Sequence, residues 1–181
     1  MVFAEKKVRL KDGREAVMRS PLSSDAEQML RYLKTTAGET DFLTRYPEEC
    51  TETPEDECAF IERVNRSDTM LMIVCAVEGK LAGSCQLVWS NRIKTRHRAE
   101  VAIGLLREYW SLGIGSAMFE ELIRVAREQG ILQLELDYIE GNDRAKGLYE
   151  KMGFREVGVK PDAIRLKDGT MLNDISMVKK L

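Results

Sequence analysis

Little in this chain invites a metal. Its 181 residues hold one histidine, His97, and four cysteines at 50, 58, 75 and 85, none in a Cys-x-x-Cys pair. A tetrahedral site needs more such ligands at closer spacing, so no metal is expected. Long apolar runs are missing as well. The N-terminus, Met-Val-Phe-Ala-Glu-Lys-Lys, turns polar at once, so neither a signal peptide nor a membrane span is expected. Charge of one sign is not in excess: 28 basic residues face 30 acidic ones, for a net −2. A field that would hold nucleic acid is therefore not expected. No linker or low-complexity segment interrupts the chain, which reads as one domain over 1–181. At this length, with 44% hydrophobic residues, it can bury a core. Cys75 and Cys85 lie in apolar runs and read as buried small hydrophobes, in keeping with a reducing cytoplasm.

What is present alternates between strand and helix patterns. Residues 7–10 and 15–19 flank an Asp-Gly turn and predict a hairpin. A helix from Asp25 to Ala37 has Ser24 and Glu27 as a capping box, Ala26, Met29, Leu30, Leu33 and Ala37 as its buried stripe, and Gly38 as its stop. A second helix follows Thr53, with Pro54 in its first turn. Strands are expected over Met70–Val77, Leu81–Trp89 and Ala99–Leu106, with a basic loop at 90–98. A long helix then runs to Gln129, followed by a strand over Ile131–Asp137, a helix over Asn142–Met152 and a strand over Phe154–Val159. A last hairpin joins Ala163–Leu166 to Met171–Val178. Hairpins followed by strand–helix–strand units predict an α+β sandwich around one mixed sheet.

The most telling stretch is 107–118, Arg-Glu-Tyr-Trp-Ser-Leu-Gly-Ile-Gly-Ser-Ala-Met. Gly113 and Gly115 sit where strand becomes helix. Such a turn gathers unpaired backbone N–H groups and the positive end of a helix dipole, which suits a phosphate. It is not a nucleotide P-loop, because no lysine follows Gly115. Nor is it a dinucleotide fingerprint, because Met118 stands where the third glycine belongs. A purely structural turn remains the alternative.

The second motif is 142–154, Asn-Asp-Arg-Ala-Lys-Gly-Leu-Tyr-Glu-Lys-Met-Gly-Phe. Together the two stretches resemble the GNAT N-acetyltransferase superfamily. Its loop pattern is Arg/Gln-x-x-Gly-x-Gly/Ala and its second signature Asn-x-x-Ala-x-x-Leu-Tyr-x-x-x-Gly-Phe. The second is matched at every fixed position. The first departs at Trp110, which occupies the Arg/Gln slot. The resemblance covers about Met70 to Val159.

The resemblance implies a mostly antiparallel sheet of about six to seven strands, flanked by about four helices, with a V-shaped gap between Ala99–Leu106 and Ile131–Asp137. Acetyl-CoA would be the cofactor. Backbone N–H groups of Leu112, Gly113, Ile114, Gly115, Ser116 and Ala117 would cradle its pyrophosphate. Leu105 and Leu106 would pair with its pantetheine arm as an added strand, Gly104 would mark a local irregularity, and Asn142 would reach the arm or serve as a helix cap. Tyr149 would protonate the leaving thiolate. For the base that frees the attacking amine, Glu100 and Asp137 compete, with His97 a third candidate.

Between Glu39 and Glu62 nine acids face one arginine, Arg45. In the family this region often lines the acceptor pocket, where Glu39, Phe42 and Tyr46 are the candidates. The other reading is solvated helix faces. The expected activity is direct acetyl transfer to a primary amine, of a small molecule or a peptide or protein. A non-catalytic acyl-CoA-binding module is the rival. Neither nucleic acid nor membrane is expected as a partner, and by analogy a homodimer is.

Overall fold

Strand pairing in the chain is set by tight turns. The computed structural model describes residues 1–181. Strand β1 (Lys6–Arg9) returns as β2 (Glu15–Arg19), and β3 (Met70–Val77) returns as β4 (Lys80–Trp89). The second of these turns places both Glu78 and Gly79 at positive φ, the geometry whose twist matches that of paired strands. Helices α1 (Ala26–Glu39) and α2 (Pro54–Arg66) intervene. Then come β5 (Arg98–Leu105), α3 (Ile114–Glu128), β6 (Gln133–Ile139), α4 (Asp143–Lys151), β7 (Arg155–Arg165) and β8 (Met171–Lys180).

All the strands join one sheet in the order β1-β2-β3-β4-β5-β6-β8-β7, eight strands rather than six or seven. The two terminal hairpins both add to it. The segments expected as separate strands at 154–159 and 163–166 are one strand, β7, which slips register between Glu156 and Gly158 and again between Lys160 and Ile164. Bulges let a strand bend without ending. Every pairing is antiparallel except β5 with β6.

Alternation along the central strands feeds two cores. Leu71, Ile73, Cys75 and Val77 face the larger one, with Met118, Phe119 and Leu122 of α3. Met72 and Val74 face the smaller one, with Met29 and Tyr32 of α1 and Val64 of α2. Cys75 and Cys85 are buried as expected, and burial pushes the Cys75 thiol up to about 12.

Helix α1 departs from expectation at both ends. The Ser24–Glu27 box does not form. Instead the Asp25 carboxylate accepts from Leu22 N at 2.7 Å and from Arg19 at 2.6 and 2.9 Å. The helix also runs through Gly38 to Glu39, since a glycine inside a helix costs about 1 kcal/mol and need not end it. Its buried residues are Ala26, Met29, Tyr32, Thr36 and Ala37, with Leu33 partly buried against the smaller core and Leu30 only half-buried. Helix α2 is capped as its sequence implies, by Thr53 and Asp56 exchanging hydrogen bonds.

The feature that makes a site is the failure of one pairing. Strands β5 and β6 share only three rungs, ending at Glu100 with Glu135. Beyond that point β5 stays with β4 and β6 with β8, and a V opens between them.

Candidate active site

The V is the mouth of a cleft of about 750 Å³. One wall is the end of β5, Val101 to Leu105, and the other is β6 with the start of α4. The N-terminus of α3 closes one end. Gly113 stands at φ +97°, a left-handed conformation that a side chain would strain, and it turns the chain into α3. The backbone N–H groups of Leu112, Gly113, Ile114, Gly115 and Ser116 have no acceptor within the chain, whereas Ala117 N–H closes the first helical turn on Gly113 O. Five free amides at the positive end of a fifteen-residue helix suit an anion. The expected contribution of Ala117 is corrected accordingly.

The end of β5 is shaped by Tyr32, which sequence reasoning missed. Its hydroxyl accepts from Ser84 N at 3.2 Å and donates to Gly104 O at 2.9 Å. A phenol oxygen is thus inserted into the β4–β5 ladder. Gly104 permits this: a Cβ there would stand 2.8 Å from the hydroxyl. Burial pushes the Tyr32 hydroxyl up to about 12, so it stays a donor. Beyond it, Leu106 N–H is spent on Ala82 O and Leu106 O takes Tyr109 N–H. The expected pairing of Leu106 with a ligand would therefore have to displace these bonds. Because amides alternate along a strand, Leu105 N–H faces the open side instead. The carbonyl of Leu105 accepts the Trp110 indole N–H at 2.9 Å.

Across the V, Asn142 caps α4 through its side-chain oxygen, which accepts from Ala145 N at 3.2 Å. Asn142 also lines the same cleft. Tyr149 lies one helical stretch further, packed edge-on against Phe119 and Tyr138. Burial alone pushes its hydroxyl up to about 12, and it too lines the cleft.

A free-amide helix terminus, a splayed sheet and a tyrosine thus converge, and a model of the Acetyltransferase (GNAT) family matches residues 36–154. The chain belongs to the GNAT acetyltransferase family. It is 28% identical over 162 residues to an N-alpha-acetyltransferase of Sulfurisphaera tokodaii, covering 88% of this chain and 89% of that one. A GNAT-family acetyltransferase from Streptococcus pneumoniae superposes with a TM-score of 0.86 at 26% identity, covering 92% of this chain and 99% of that one. YncA from Salmonella typhimurium, solved with its cofactor acetyl-CoA, has a TM-score of 0.78 at 17% identity over 92% and 94% of the two chains.

At the far end of this GNAT cleft, Asp137 and Asp174 line the wall. Lys160 bridges them at 2.7 and 3.0 Å. Burial opposes the Asp137 charge, but hydrogen bonds from Lys160 and Ser176 overcome it and hold the carboxyl below its ordinary value. Glu39 and Phe42 also line the cleft, and the Glu39 carboxylate accepts from Arg107 N at 2.7 Å.

Glu100, Tyr46 and His97 are placed elsewhere. Glu100 is exposed, at the last shared rung of β5 and β6, and is not among the cleft's lining residues. Tyr46 lies outside too: its hydroxyl accepts from Lys167 N at 3.0 Å, and Lys167 also pairs with Glu48. These contacts strap the segment after α1 to the tip of the β7–β8 hairpin. His97, in the exposed basic loop, does not line the cleft. Part of the acidic run is absorbed locally, since Glu49 caps Tyr46 N, Glu52 pairs with Arg45 and Asp56 caps α2. No three His, Cys, Asp or Glu side chains cluster as metal ligands, and no helix is long and apolar enough to cross a membrane.

Proposed function

We propose that this GNAT enzyme transfers the acetyl group of acetyl-CoA directly to the α-amino group of a peptide or protein. The observation that carries the reading is one cleft holding the free amides of α3, the unpaired inner side of β5 and the Tyr149 hydroxyl. The amides take the pyrophosphate. The pantetheine arm lies along β5 as a strand would, and Leu105 N–H faces the carbonyl that becomes the oxyanion.

The amine attacks the thioester carbon, forming the C–N bond. Bond formation makes the nitrogen acidic, and its proton passes to Asp137, directly or through water. The C–S bond then breaks, and Tyr149 gives its proton to the leaving thiolate. No acyl-enzyme is involved, since none of the four cysteines lines the cleft and Cys75 and Cys85 are sealed in the core.

The acceptor class follows from the weakness of the base. Asp137 sits below the ordinary carboxylate value. An alkyl ammonium lies about 6 units above a carboxylate, a gap of roughly 8 kcal/mol, whereas an α-amino group near 7.7–8.0 is about a tenth neutral at pH 7. The curated relative from Sulfurisphaera tokodaii, an N-alpha-acetyltransferase, supports the same class. Acetyl-CoA and reduced thiols both suit a cytoplasmic location.

The test is calorimetric titration with acetyl-CoA, with ATP as control, followed by thiol release with peptides whose α-amine is free or blocked. Release only with free α-amines supports the reading. Acetyl-CoA binding without release from any amine would favour an acyl-CoA-binding module.

A further inference from the structure

The anion-binding turn carries no cation of its own between Tyr109 and Met118. The cations around it come from elsewhere in the chain. Lys11, on the β1–β2 turn, has its side chain beside Gly113, 3.8 Å from where a Cβ would stand, and its amide donates to Leu112 O. Lys151, at the end of α4, donates to Ser116 Oγ at 3.1 Å. Arg144, in the first turn of α4, donates to Ser111 Oγ at 2.8 Å and lies over the Trp110 ring at 4.7 Å.

Arg144 is the one held by a platform. Trp110 is fixed at one edge by its N–H to Leu105 O. Arg107 lies over the same ring at 5.5 Å and is itself tied to the Glu39 backbone. A guanidinium held over an aromatic ring keeps its N–H donors free at its own edges and loses little freedom on binding an anion. Here those donors rest on a neutral hydroxyl and line the cleft, a weak partner that a phosphate oxygen would displace.

We propose that Arg144, positioned by Trp110, binds the pyrophosphate of the cofactor beside the α3 amides. Trp110 is then a positioning residue that lends the turn a cation from α4. The inference rests on the acetyl-CoA reading of this cleft.

Calorimetry with coenzyme A, dephospho-coenzyme A and pantetheine tests it, on the wild type, Arg144→Ala, Trp110→Leu and the double variant. Arg144→Ala should weaken coenzyme A and dephospho-coenzyme A by the same factor, about 10- to 100-fold, and leave pantetheine unchanged. Trp110→Leu should lose part of that factor, and the double variant little more than Arg144→Ala alone. Unchanged coenzyme A affinity in Arg144→Ala overturns the proposal. So does a loss confined to coenzyme A, which would put Arg144 on the 3′-phosphate, or an equal loss for pantetheine. A wild type that binds none of the three overturns the cofactor reading itself, a result distinct from a selective failure of the Arg144 variant.

Discussion

The Tyr32 hydroxyl donates to the carbonyl of Gly104, 72 residues away, and takes the place of a backbone partner in the sheet. Removing that oxygen leaves Ser84 N–H and Gly104 O short of a bond beside the cleft. Tyr32→Phe should cost about 1–3 kcal/mol, read as a lower midpoint in denaturant. Gly104→Ala should do similar damage by expelling the hydroxyl, and should raise the KM for acetyl-CoA because the end of β5 shifts.

Tyr149→Phe separates chemistry from packing. The ring contacts with Phe119 and Tyr138 survive, so stability and acetyl-CoA affinity should change little. The turnover number should fall by about 100-fold or more if the proton to the thiolate comes from this hydroxyl. A variant with unchanged turnover across pH would remove Tyr149 from the mechanism.

The pH profile of kcat/KM for the acceptor should rise and level near the pKa of its α-amine, about 7.7–8.0. Asp137, held low by Lys160 and Ser176, is already charged through that range and adds no break. Tyr149, raised to about 12, keeps its proton throughout, so no descending limb should appear below pH 10. Asp137→Asn should lower the plateau without moving the ascending limb.

Acid sensitivity should trace in part to Arg19 and Asp25. Burial opposes the Asp25 charge, yet the hydrogen bonds from Arg19 and Leu22 N outweigh it and depress its pKa. A depressed carboxyl stabilises the fold fully above its unfolded value, about 3.9, and the gain is lost as pH falls through the folded value. Asp25→Asn should cost about 1–3 kcal/mol at pH 7 and flatten the stability curve below pH 4.

The two motifs were legible because their demands are local. A left-handed Gly113 and an Asn142 cap depend on neighbours within a turn, so the sequence pattern carries them directly. Tyr32 was not legible, since its partners Ser84 and Gly104 lie on strands brought near only by the finished sheet. The Lys160 bridge between Asp137 and Asp174 likewise needs β7, β8 and β6 side by side. The start of α1 was misread because Ser24 lies in a 3-10 turn, Ser23–Asp25, ahead of the helix, where Arg19 of β2 and Leu22 N hold the Asp25 carboxylate. Strand β6 both begins and ends two residues later than its apolar pattern implies, and its continuation to Ile139 sets Asp137 inside the strand rather than at its end.

The parting of β5 from β6 at Glu100 and Glu135 leaves a sheet with a seam down its middle. A pantetheine arm bound in that seam, as proposed, would serve as a missing strand. Occupancy should therefore register as resistance to unfolding, about 2.7 kcal/mol when the occupant stands at a hundred times its dissociation constant. The stability of this protein would then follow the concentration of its own cofactor.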